Sequence, residues 1–133
     1  MTRATDYQRT YHRGSGYWRQ RERLWARRGV IEEDGGPLRA IVYLSVLRFQ
    51  RDRCALSGAK EHFVRFVADH DRKTGLFRGV LSQDVNHLAV GTFERRGRYR
   101  DDVVEDAIRN YLEWTPYQQW LDKTGGLRRE APC

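Results

Sequence analysis

The chain has 133 residues, enough for one domain with extensions and too few for two, and its 25 lysines and arginines against 18 acidic residues leave a formal charge of +7. No apolar run approaches a membrane span, no apolar signal-peptide core opens the chain, and two cysteines, Cys54 and Cys133, make no disulfide framework. A membrane or disulfide-stapled protein is therefore not expected. The expectation is a cytoplasmic protein with a polyanionic partner, because each cation placed on a phosphate releases a condensed counterion.

Residues 1–36 read as a basic, aromatic arm and linker. Arginines alternate with Tyr7, Tyr11, Tyr17, Trp18 and Trp25, and from Tyr17 to Arg28 the pattern fits a helix with the two tryptophans seven apart on one face. Arg19, Arg23, Arg27 and Arg28 are its candidate DNA contacts, since planar guanidinium groups sit on phosphates or stack on bases. The alternative is a solvated helix pinned by its tryptophans. The acidic stretch VIEEDGG (30–36) closes the arm.

Residues 37–115 read as the main domain. Pro37 suits the first turn of a helix running to about Asp52, with Leu38, Ile41, Val42, Leu44, Val46, Leu47 and Phe49 as its apolar face. Glu61 to Asp69 contains a β-prone stretch at Phe63–Val67, the polar loop HDRKTG follows, and Leu76–Leu81 is a second strand, which together make a hairpin with a long loop. Residues 83–93 read as a short helix. Asp101 or Asp102 caps a last helix through Trp114, whose buried face comprises Val104, Ala107, Ile108, Tyr111 and Leu112. Residues 116–133 read as a tail whose Tyr117, Trp120 and Leu121 dock on the core or on a partner.

The chemistry lies in the hairpin. Asp69 and His70 stand at the end of the first strand, and Asn86 stands early in the helix that packs back across it. A carboxylate and an amide oxygen suit a hard cation such as Mg²⁺. An imidazole, which titrates near neutrality, can take the proton of an attacking water. Arg72 or Arg78 can clamp the phosphate. On residue types alone this set is weak, because Asp-His pairs are common and a lone histidine is usually structural.

The order of the motifs adds to it. CALSG at 54–58, VADHDRKTG at 67–75, LFRGVLSQDVN at 76–86 and AIRNYL at 107–112 together resemble the recombination endonuclease VII family, whose pattern reads CxxCG, DHDHxTGxVRGLLCxxCN and a later AIxYL. The resemblance implies a ββα-metal (HNH, or His-Me finger) nuclease, within an α+β fold flanked by helices, that cleaves DNA, including branched DNA. Residue by residue it implies that Asp69 and Asn86 hold Mg²⁺ or Mn²⁺, that His70 is the general base, and that Arg78 contacts phosphate or supports the hairpin. The four zinc cysteines of the family fall on Cys54, Ser57, Ser82 and Val85, so no structural zinc is expected. In place of that zinc, Val80, Leu81, Val85 and Leu88 are expected to hold the hairpin against the Pro37–Phe49 helix. The second histidine of the DHDH run is Arg72 here. The alternative function is a DNA-binding or assembly protein that keeps the scaffold without the reaction. A homodimer, or a complex with phage or host proteins, completes the partner expectations, with a phage origin inferred from the resemblance alone.

Overall fold

The computed structural model describes residues 13–61 and 63–129; the first twelve residues of the basic arm, and Cys133, lie outside the described residues. Among the described residues five α-helices surround a two-stranded antiparallel sheet, the α+β class expected. They are α1 (Ser15–Arg27), α2 (Ala40–Phe49), α3 (Gly91–Arg96), α4 (Asp102–Glu113) and α5 (Pro116–Thr124), with strands β1 (Phe66–His70) and β2 (Phe77–Ser82) between α2 and α3. A π-helical stretch, Val85–Val90, runs directly into α3. No helix among the described residues is long and apolar enough to cross a membrane.

Helix α1 is mostly exposed and is pinned by its tryptophans. Trp25 is buried and Trp18 half-buried, and both rings pack on Tyr43 of α2, at centroid distances of 5.0 and 5.8 Å. Helix α2 starts three residues later than Pro37 suggests. Pro37 pairs with Ile31 in an isolated bridge, and the first free N–H groups of α2 are satisfied from a distance: Arg39 N donates to Glu32 Oε2 and Ala40 N to Glu22 Oε2. Of its expected apolar face, Val42, Val46 and Leu47 are buried, but Ile41 is exposed.

Strand β2 is buried along its whole length and is the centre of the core. One face meets α2 and the N-terminal end of α5. Gly79 is the contact point, since a Cβ there would lie 3.0 Å from Pro116 Cγ and 3.2 Å from Gln50 Oε1. The Gln50 amide also completes the β2 backbone, accepting from Val80 N at 2.9 Å and donating to Val80 O at 2.8 Å. A side chain thereby joins Ala55 N, which also donates to Val80 O at 3.2 Å, in satisfying a buried strand edge.

The hairpin loop is built by local hydrogen bonds. Asp71 Oδ1 accepts from Lys73 N and Thr74 N, and these bonds, the Lys73 one foremost, hold its carboxyl below the usual carboxylate range. Gly75 then turns the chain at φ +81° while its carbonyl accepts from Ile31 N. A Cβ on Gly75 would lie 2.1 Å from the carbonyl oxygen of Gly29. Gly75→Ala is therefore expected to destabilise the protein by about 1–3 kcal/mol, from left-handed backbone and steric displacement together. Urea denaturation checks this, and an unchanged midpoint would mean that the loop shifts freely.

Two further expectations are corrected. In α4, Ile108 and Tyr111 are buried, but Val104 and Ala107 face solvent. Leu88, expected to hold the hairpin, is exposed, whereas Val80 and Leu81 are fully buried. The segment read as a tail carries α5, opened by a capping box: Thr115 accepts from Gln118 N while the Gln118 side chain accepts from Thr115 N. Its Tyr117 and Trp120 do dock on the core, as one of the two alternatives for the tail had it.

Candidate active site

Residues adjacent on a regular strand point to opposite faces, so Asp69 and His70 need a local irregularity to serve one site. The hairpin supplies it. Asp69 pairs with Gly79, His70 pairs with Phe77, and Arg78 is left without a partner across the ladder. Such a one-residue slip bends the strand and re-aims its side chains.

The slip places Asp69 and Arg78 face to face in the interior. Asp69 is 3% exposed and Arg78 7%. Arg78 Nε donates to Asp69 Oδ2 at 2.8 Å and Nη2 to Oδ1 at 3.0 Å, a bidentate pair. The same guanidinium reaches Glu94 of α3, with Nη2 to Oε1 at 2.9 Å and Nη1 to Oε2 at 3.2 Å. Burial pulls the Arg78 pKa down, but hydrogen bonds and charge from Glu94 and Asp69 more than reverse it, and the group is held above the usual arginine value. From the far side, Tyr111 of α4 donates to Asp69 Oδ2 at 2.7 Å. Burial, and then the neighbouring Asp69 charge, raise the Tyr111 phenol well above its usual value, so it stays a donor. Asp69 is thus fixed by three donors from two elements.

Asp69, His70 and Asn86 line one cleft of about 460 Å³, together with Arg28, Arg72 and Glu94. His70 is half-buried, and its Nδ1 is buried with no hydrogen-bond partner among the described residues. Asn86 lies in the π-helical stretch, where Gly91 N donates to the Asn86 carbonyl five residues back. π-Helical turns of this kind recur at functional sites.

The arginines expected to meet DNA divide. Arg28 and Arg72 line this cleft, and Arg23 and Arg27 line a neighbouring groove. Arg19 is exposed on α1 and lines neither. Arg78 is a correction to the phosphate clamp: its donors face two carboxylates in the interior, so of its two expected roles the hairpin support is the one its geometry performs. Sequence reasoning missed Glu94, Tyr111 and Arg65. Tyr111 carried a signal, the tyrosine of the AIxYL pattern, which reads as core until its hydroxyl is seen on Asp69.

The positions of the family's zinc cysteines still meet. Ser57 N donates to Cys54 Sγ at 3.4 Å, and Val85 N donates to Ser82 Oγ at 3.4 Å. Burial raises the Cys54 pKa, but hydrogen bonds from Ser57, Ser82 and Leu56 outweigh it and the net shift is downward. No cluster of three or more His, Cys, Asp or Glu side chains among the described residues could hold a metal ion.

No curated protein and no solved structure matches the chain. The family model described as recombination endonuclease VII matches residues 38–114, from the start of the α2 segment through α4 and across the whole cleft-bearing hairpin. That match spans more than half of the 133 residues, and the chain belongs to the recombination endonuclease VII family.

Proposed function

We propose that the protein is an HNH-type DNA endonuclease that hydrolyses phosphodiester bonds with the help of Mg²⁺ or Mn²⁺. The observation that carries this reading is the convergence of Asp69, His70 and Asn86 on one cleft flanked by arginines. Membership of a recombination endonuclease family supports DNA, including branched DNA, as the substrate.

The donor set suits a hard cation that takes only one or two protein oxygens. Asp69 Oδ2 already accepts two hydrogen bonds and Oδ1 accepts one, which leaves Oδ1 with acceptor capacity. That oxygen and the Asn86 amide oxygen are the ligands we assign. A bound divalent cation supplies charge stabilisation for the scissile phosphate and the leaving oxygen. His70, which lines the cleft, accepts the proton of the attacking water. Arg78 and Tyr111 hold the Asp69 carboxylate in place, and Arg28 and Arg72 attract the phosphodiester backbone.

A second reading, a DNA-binding protein without the reaction, is favoured by the same Asp69 lock, because three donors compete with a cation for the carboxylate. Incubation with supercoiled plasmid separates the two. Under the nuclease reading, open circles accumulate with Mg²⁺ or Mn²⁺ and are absent with EDTA. Plasmid that is bound but stays supercoiled in both metals would establish the second reading.

A further inference from the structure

Beside the active cleft runs a larger groove, of about 940 Å³, between α1 and the segment leading into β1. Arg21, Leu24, Arg65 and Phe66 line both, so groove and cleft are continuous. Helix α1, which forms this wall of the groove, lies outside the residues that match the family.

The groove is charged in one sense. Arg23, Arg27 and Arg65 are exposed and have no acidic partner among the described residues. The one acid lining it, Glu61, lies 3.8 Å from Arg13. In the adjoining cleft Asp69 and Glu94 share the single charge of Arg78, and the remaining negative charge is outnumbered by Arg21, Arg28, Arg65 and Arg72 in the lining. Arginines outside these clefts, such as Arg39, Arg109 and Arg129, are paired with acids. The linings of groove and cleft together therefore carry a net positive charge. Between the arginines the groove offers the half-buried Tyr17 and Leu24 and the exposed Ala26, above the buried Phe66. Arg13 stacks on the Tyr17 ring at 4.4 Å, and Tyr17 accepts from Arg21 at 2.8 Å, so the ring is held in place.

We propose that this groove binds a single strand of DNA that continues from the strand in the Asp69–His70–Asn86 cleft. The inference rests on the nuclease reading for what occupies the cleft. A duplex presents phosphate ridges to a protein and keeps its bases inside, so an apolar floor gains it nothing. An unpaired strand exposes base faces, which an aromatic and apolar floor between cations accommodates. The face of α1 is therefore the part of the molecule that holds the unpaired arm of the DNA in the cleft.

The test is the salt dependence of binding in EDTA, read by fluorescence anisotropy on a labelled oligothymidylate of about 15 nucleotides, within the range of one basic groove. The variant is Arg23→Gln with Arg27→Gln, exposed helix positions that glutamine suits. Losing two phosphate contacts should lower the slope of log K against log salt by about 1.4, at about 0.7 per contact for single strands. Arg19→Gln, on the same helix but outside the groove, should leave the slope unchanged. An unchanged slope in the double variant overturns the proposal, as does a loss confined to a blunt duplex of matched length. Plasmid nicking by the same preparations separates the two readings. Metal-dependent nicking with an unchanged slope removes the groove and keeps the nuclease. A reduced slope without nicking keeps the groove and removes the nuclease.

Discussion

Replacing His70 by alanine is expected to reduce DNA cleavage by about 100- to 10,000-fold, the usual contribution of a positioned general base, while leaving DNA affinity and folding stability near those of the parent. The separation of effects follows from where the ring sits. It lies at the end of β1, half-buried, and its Nδ1 has no hydrogen-bond partner among the described residues. Removing it breaks no bond at that nitrogen and leaves Arg28, Arg72 and the groove arginines in place for the phosphate backbone. Single-turnover cleavage of a nicked or flapped oligonucleotide, with anisotropy on the same substrate in EDTA, measures both quantities. Cleavage at the parental rate would show that the proton goes elsewhere. Equal losses of binding and cleavage would make His70 a binding residue.

The elements legible in the sequence were those whose signal is local. The tryptophan spacing in α1, the Asp101 cap of α4, and the hairpin around Thr74–Gly75 need only neighbouring residues to make sense, and Asp101 does accept from Val103 and Val104. The ordered motifs bring Asp69, His70 and Asn86 together, and all three line one cleft. What could not be read was set by partners far along the chain. The start of α2 depends on carboxylates of Glu22 and Glu32, which no helix-propensity argument includes. The role of Arg78 depends on a one-residue slip in the ladder and on Glu94, sixteen residues away, and that of Tyr111 on a carboxylate forty-two residues away. Helix α5 is a different case. Thr115-Pro116-x-Gln118 is a local capping signal, but a proline directly after α4 also reads as a helix stop, and the two readings compete at the same residues.

Replacing Arg78 by methionine, of similar reach but without charge, is expected to cost about 3–5 kcal/mol of stability, a large share of the total for a domain of this size. One buried guanidinium stands between Asp69 and Glu94, and its removal leaves the Asp69 carboxylate in the interior with the Tyr111 hydroxyl as its one remaining side-chain donor. Glu94 adds less, because a quarter of its side chain is exposed and water takes over. A double-mutant cycle gives the sharper reading. Asp69→Asn alone unpairs the arginine, whereas the same change in the Arg78→Met background removes the stranded charge. The second step should therefore be much less destabilising than the first, or stabilising. Urea midpoints of the four proteins measure this, and independent, additive losses would mean that the pair is screened by solvent. The cycle also bears on the reaction. If Arg78 serves to hold Asp69 for a cation, Arg78→Lys, which keeps the charge but cannot grip both oxygens, should fold better than Arg78→Met and still require more Mg²⁺ for half-maximal cleavage. A lysine variant with an unaltered metal requirement would confine Arg78 to the stability of the hairpin.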